Sequence, residues 1–137
     1  DIDEDLIVGN IVHELAHMLE DKYHYEIYGD DAIEKEYVGK KKRLLDILRA
    51  NGVSFHGMGN LFFSDDMVDE FDEFLFNHLG YDSLSSLTPG LFLSPYSVTS
   101  LREYFANGFE EYINGDSNYL KEISPVLFNK LELFLEI

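Results

Sequence analysis

The stretch Ile11-Val12-His13-Glu14-Leu15-Ala16-His17-Met18-Leu19 decides how this chain is read. It is an HExxH sequence set inside an apolar pattern of helical period. Residues four apart on a helix stack on one face, so His13 and His17 can offer their imidazoles to a single metal ion, while Glu14 can reach a water on that ion. Zinc held by two imidazoles needs a third protein ligand, and a site that performs chemistry keeps the fourth position for water. The rest of the chain must supply that third ligand.

Around this stretch the pattern predicts a long first helix from residue 3 to about residue 28. Leu6, Ile7, Ile11, Leu15, Met18 and Leu19 form its apolar repeat. Gly29-Asp30-Asp31 breaks the repeat and offers an N-cap to a second helix, Ala32 to Ala50, with Ile33, Tyr37, Leu44, Leu45 and Leu48 as the buried stripe and Asn51-Gly52 as its end. The basic run Lys40-Lys41-Lys42-Arg43 reads as a solvated helix face rather than a docking patch. Residues 53–63 read as irregular or briefly extended, and Ser64-Asp65-Asp66 caps a third helix over 67–79.

A turn of helix over 83–87 precedes the turn signal Thr88-Pro89-Gly90, and residues 91–96 read as extended or looped. Thr99 or Ser100 caps a fourth helix that runs to Ile113 and closes at Asn114-Gly115. Ser124-Pro125 starts the last helix, whose core face is Val126, Leu127, Leu131, Phe134 and Leu135. The expectation is a mainly α fold, a single domain over 1–137 with little or no β-sheet.

Composition narrows the function classes. At 137 residues and 45% hydrophobic, the chain can bury a core as one domain. It opens on Asp1 rather than Met, and the expectation is a segment of a longer protein. A net charge of −17 argues against nucleic acid and anionic membranes, where basic residues must neutralise phosphates. No apolar run is long enough for membrane insertion. With no cysteine, disulfides and thiolate zinc sites are excluded, which leaves imidazoles and carboxylates as the strong zinc ligands. The 11 Phe and 9 Tyr hint at an apolar groove, although such rings more often fill a core.

The fourth helix offers carboxylates. Glu103, Ala106, Asn107 and Glu110 share one side of it, opposite Leu101, Phe105, Phe109 and Tyr112. A small residue lets helices approach closely, and a carboxylate beside it can then reach the metal. Glu103 is the first choice as third ligand; Glu110 or Glu111 takes its place if the helix is rotated or shifted. His24, His56 and His78 lack ligand spacing and read as structural or exposed. Asp21, one turn beyond His17, and Asn107 are candidates to support the ligands from behind.

His-Glu-Leu-Ala-His followed downstream by Glu103-Tyr104-Phe105-Ala106-Asn107-Gly108-Phe109 resembles the zinc peptidase domain of anthrax lethal factor and its relatives, among them the secreted Pro-Pro endopeptidases. The resemblance covers two short segments, about a quarter of the chain. Ala16 stands where that family often has Gly, Asn107 where an acid is common, and the connection from His17 to Glu103 is long.

The resemblance implies a zincin with zinc on His13, His17 and Glu103, Glu14 as general base, and Tyr96, seven residues before Glu103, as hydrogen-bond donor to the developing oxyanion. It implies a zinc-dependent endopeptidase acting on a polypeptide, and tilts localisation toward secretion. Zincins hold substrate against a sheet edge that precedes the HExxH helix. Here either an upstream segment supplies that edge, or residues 53–63 and 91–94 provide what extended backbone there is. The rival reading is a catalytically inactive zinc-binding interaction module of a toxin-like or phage protein. Oligomeric state is not legible in the sequence.

Overall fold

The computed structural model describes residues 2–52 and 80–135. Among them the fold is mainly α, with no strand. The helices are α1 (Ile2–Lys22), α2 (His24–Tyr28), α3 (Ala32–Ala50), α4 (Tyr81–Leu87), α5 (Leu101–Asn114), α6 (Ser117–Ile123) and α7 (Pro125–Leu135), with a 3-10 turn over Pro95–Val98 between α4 and α5. The irregular segment expected at 53–63 and the helix expected at 67–79 lie outside the described residues, as do His56 and His78.

α5 is the hub, packing against α1, α3, α6, α7 and the 3-10 turn. Its start is built as its residues predict, with the Ser100 hydroxyl accepting from the Glu103 amide at 3.1 Å. Tyr104, Phe105, Ala106, Gly108 and Phe109 are all buried, so most of the circumference of the helix is covered. Gly108 is required by a close approach, since a Cβ there would run into the side chain of Leu127 on α7.

Several elements depart from the sequence reading. The expected first helix is interrupted at Tyr23, across which i→i−4 backbone hydrogen bonds still run, and in α2 the Tyr28 hydroxyl donates to Glu20 while its ring packs on Phe105. α3 has the expected bounds and stripe, but Asp31 sits in the left-handed region at φ 60°, and the Asp30 carboxylate one residue earlier accepts from the Ala32 amide. Residues 91–96, read as extended or looped, take the looped alternative and pass through a turn into the 3-10 turn, where the Val98 carbonyl accepts from the Tyr37 hydroxyl at 2.7 Å. The helix α6 was not expected, and Asp116 caps it by accepting from the Asn118 and Tyr119 amides.

The largest departure in the core concerns the basic run. Lys42 and Arg43 are exposed, but Lys40 and Lys41 are buried. The Lys40 ammonium donates to Ser124 Oγ at 2.5 Å and lies over the Tyr104 and Phe92 rings, 5.1 and 5.6 Å from their centroids. Ser124 therefore serves Lys40, and the first amides of α7 are capped from α3 instead. Glu36 accepts from Val126 N at 2.8 Å, Leu127 N at 3.2 Å and the Tyr104 hydroxyl at 2.7 Å. Val126 is exposed, and Phe128 is buried in its stead.

Burial holds the Lys40 ammonium down at about 8, a shift that the Glu36 carboxylate resists and Arg43 reinforces. An unfolded lysine keeps its proton to about pH 10.4. Between those values the unfolded chain binds more protons than the folded one, so this group makes stability rise with pH. Urea unfolding of the parent and Lys40→Met should therefore diverge in favour of the parent by roughly 2 kcal/mol between pH 7.5 and 9.5. An unchanged difference across that range would contradict the burial of a titrating Lys40.

Candidate metal centre

The polar faces of α1 and α5 meet where each has a small residue. Ala16 and Ala106 are fully buried, and the turns beside them carry His13, His17 and Glu103. His13 Nε2 lies 3.2 Å from His17 Nε2 and 3.4 Å from Glu103 Oε2, and His17 Nε2 lies 3.4 Å from Glu103 Oε1. The two rings stand edge to face at 87°. A tetrahedral zinc with bonds of about 2.0–2.1 Å has edges of about 3.3–3.4 Å between its ligand atoms; the two imidazole nitrogens stand close to that spacing, and each faces a different oxygen of Glu103 at a similar distance. Side-chain exposures of 27% for His13, 18% for His17 and 29% for Glu103 leave one side open to water.

The orientation of His13 is set from α5. Its Nδ1 is 2.5 Å from Glu110 Oε1, so a proton on Nδ1 has that carboxylate as its acceptor. A neutral His13 then has its lone pair on Nε2, directed into the cluster. Lone pairs and carboxylate oxygens facing one another at 3.2–3.4 Å repel unless a cation or proton lies between them, so the donor set suits a divalent cation with a preference for nitrogen and oxygen.

Glu110 thus lies behind His13 rather than among the three converging groups, and Glu111 turns away to accept from the Asp116 amide. Asn107 does not support an imidazole: it accepts from the Ser94 hydroxyl at 2.8 Å and donates to the Glu103 carbonyl. Asp21 is exposed and pairs with Arg102 at 3.5 Å. His24 is on the surface, stacked near Tyr28. Tyr96 falls in the 3-10 turn that leads into α5, and its side chain is outside the described residues.

Glu14 is exposed on α1, where with Asn10, Ile11, Leu15 and Met18 it lines an open depression of about 410 Å³. The apolar repeat of α1 is mostly turned away from the core, although Leu19 packs against it. Ile11, Leu15 and Met18 are 61%, 43% and 66% exposed and Val8 is 45% exposed, while Val12, Ala16 and Glu20 are the buried positions. The side chains of Leu6 and Ile7 are outside the described residues. Periodicity located an apolar stripe on this helix, but the face turned to the protein is the one carrying the histidines.

The carboxylates behind the ring, Glu110 and Glu20, were missed as supports. For Glu110 the signal was available, because it sits two turns after Glu103 on the same face of one helix. Comparison with protein-family models, curated proteins and solved structures gave no match to this chain.

Zinc titration against a chromophoric chelator should give one tight site in the parent. His17→Ala and Glu103→Ala should abolish it, Glu110→Gln should weaken it about 10–100-fold, and Glu111→Gln should leave it unchanged. Equal affinity in Glu103→Ala and the parent would place the third ligand elsewhere.

Proposed function

We propose that the chain is a zinc-dependent endopeptidase of the zincin type, as its likeness to the lethal factor peptidase domain suggests. The observation that carries this reading is the convergence of His13, His17 and Glu103 to separations of 3.2–3.4 Å, with Glu14 next to His13 on the same helix. Three protein ligands on one open side are the arrangement of a site that works on a substrate rather than one that only braces the fold. Zinc, when held there, supplies a Lewis acid that polarises the scissile carbonyl and makes water acidic near neutral pH.

The chain's own groups do the rest. Glu14 takes the proton of the attacking water and passes it to the leaving amine. Glu110 keeps the His13 proton on Nδ1, so that Nε2 remains a ligand. Tyr96 would donate to the oxyanion, a role that comes from the family likeness alone. The substrate is a polypeptide.

A second reading, a zinc-binding interaction module without activity, draws support from the exposed apolar row Val8, Ile11, Leu15 and Met18. A peptide-library digest with and without chelator separates the two. The parent should cleave, lose activity on chelation and regain it with zinc. Glu14→Gln should bind zinc as tightly as the parent yet cleave at least about 100-fold more slowly. Cleavage by Glu14→Gln at the parent's rate would sink the proposed mechanism, and zinc binding with no cleavage by the parent would favour the interaction module.

A further inference from the structure

His17 has a second ring nitrogen for which the metal ring gives no role. Its Nδ1 is buried and without a hydrogen-bond partner, and it faces Oε1 of Glu20 at 3.9 Å, one turn along α1. A neutral imidazole carries a single N–H, so an Nε2 that gives its lone pair to a cation forces the proton onto Nδ1. Buried there, that N–H needs an acceptor.

Glu20 is a carboxylate held in place for such a role. It is only 2% exposed, although its residue type is seldom buried without partners. Its Oε2 accepts from the Tyr28 hydroxyl, and its Oε1 is ion-paired with Arg102 Nε at 3.0 Å. A carboxylate oxygen has capacity for two donors, so Oε1 can take a proton from His17 while keeping Arg102. The 3.9 Å separation is about 1 Å beyond a hydrogen bond, so the proposed contact needs the imidazole and the carboxylate to close by that much when the cation binds. Asp21, the alternative on α1, is exposed and engaged by the other end of Arg102.

We propose that Glu20 is the positioning residue for His17, accepting its Nδ1–H when Nε2 binds zinc, with Tyr28 and Arg102 fixing the carboxylate. This rests on the metal-centre reading above. Each histidine is then backed by a carboxylate: His13 by Glu110 from α5 and His17 by Glu20 from its own helix. Arg102 directly precedes Glu103, so the turn of α5 that delivers the third ligand also delivers the clamp on Glu20. Ligand and clamp therefore share one register of α1 against α5.

The test combines zinc affinity with nitrogen-15 NMR of the histidine rings. In the zinc-loaded parent, His17 should carry its proton on Nδ1 and exchange it with solvent far more slowly than a free imidazole. Glu20→Gln, whose amide oxygen is a weaker acceptor, should bind zinc about 10–100-fold more weakly. Tyr28→Phe removes one partner of Glu20 and keeps the carboxylate and its Arg102 clamp, so it should lower thermal stability and weaken zinc binding only a few-fold, clearly less than Glu20→Gln does.

Equal weakening in Glu20→Gln and Tyr28→Phe would make the role of Glu20 one of packing and overturn the proposal. So would parent-like zinc affinity in Glu20→Gln, or a His17 Nδ1–H that exchanges as a free imidazole does. If Glu20→Gln fails to fold, the exchange measurement on the parent decides. A parent that binds no zinc at all would overturn the metal-centre reading itself, a result distinct from the failures specific to Glu20.

Discussion

The close approach of α1 to α5 is the constraint on which the rest depends. Both helices turn polar side chains toward each other where a packed interface would normally be apolar, and Ala16 and Ala106 give the backbones room to draw together. The result is a ring of two imidazoles and a carboxylate with separations of 3.2–3.4 Å, flanked by Glu110 on one side and by Glu20 with Arg102 on the other. A cation held among these groups would tie α1 to α5. On the metal-centre reading proposed above, metal binding and the docking of α1 would be one free-energy term seen from two sides.

α5 can serve as a fixed platform because its other faces are locked by a second polar cluster. Glu36 from α3 caps the start of α7 and accepts from the Tyr104 hydroxyl, while Lys40 donates to Ser124. Tyr104 is the neighbour of Glu103. Burial raises the Tyr104 phenol, and the adjacent Glu36 carboxylate raises it further, which favours the protonated hydroxyl that donates to Glu36. Tyr28 is held in the same condition by burial and by Glu20. Together with the fully packed Gly108–Leu127 contact, these bonds leave Glu103 little rotational freedom about the axis of α5.

Where local signals were strong, the sequence could be read directly. Ser100 and Gly115 bracket α5, and Ala32 to Ala50 is a helix with the buried stripe that its period implies. The HExxH spacing placed two imidazoles on one face, and the Glu103, Ala106, Asn107, Glu110 stripe placed a carboxylate opposite them. What could not be read depends on tertiary partners. Lys40 and Lys41 look solvated by residue type, yet their stems and ammonium groups lie among the rings of Tyr37, Phe92 and Tyr104. The apolar repeat of α1 does not show which way the helix faces, and the side turned inward carries His13, His17 and Glu20. The short α6 followed too closely on the end of α5 to stand out as a separate helix.

The central claim is that one cation joins His13, His17 and Glu103, and zinc X-ray absorption on the stoichiometrically loaded protein examines it most directly. The account predicts four nitrogen and oxygen ligands at about 2.0–2.1 Å, with the multiple-scattering signature of two imidazoles that is altered when Glu103 is replaced by Ala. Zinc that is not retained after desalting, or a spectrum without imidazole scattering, would contradict it.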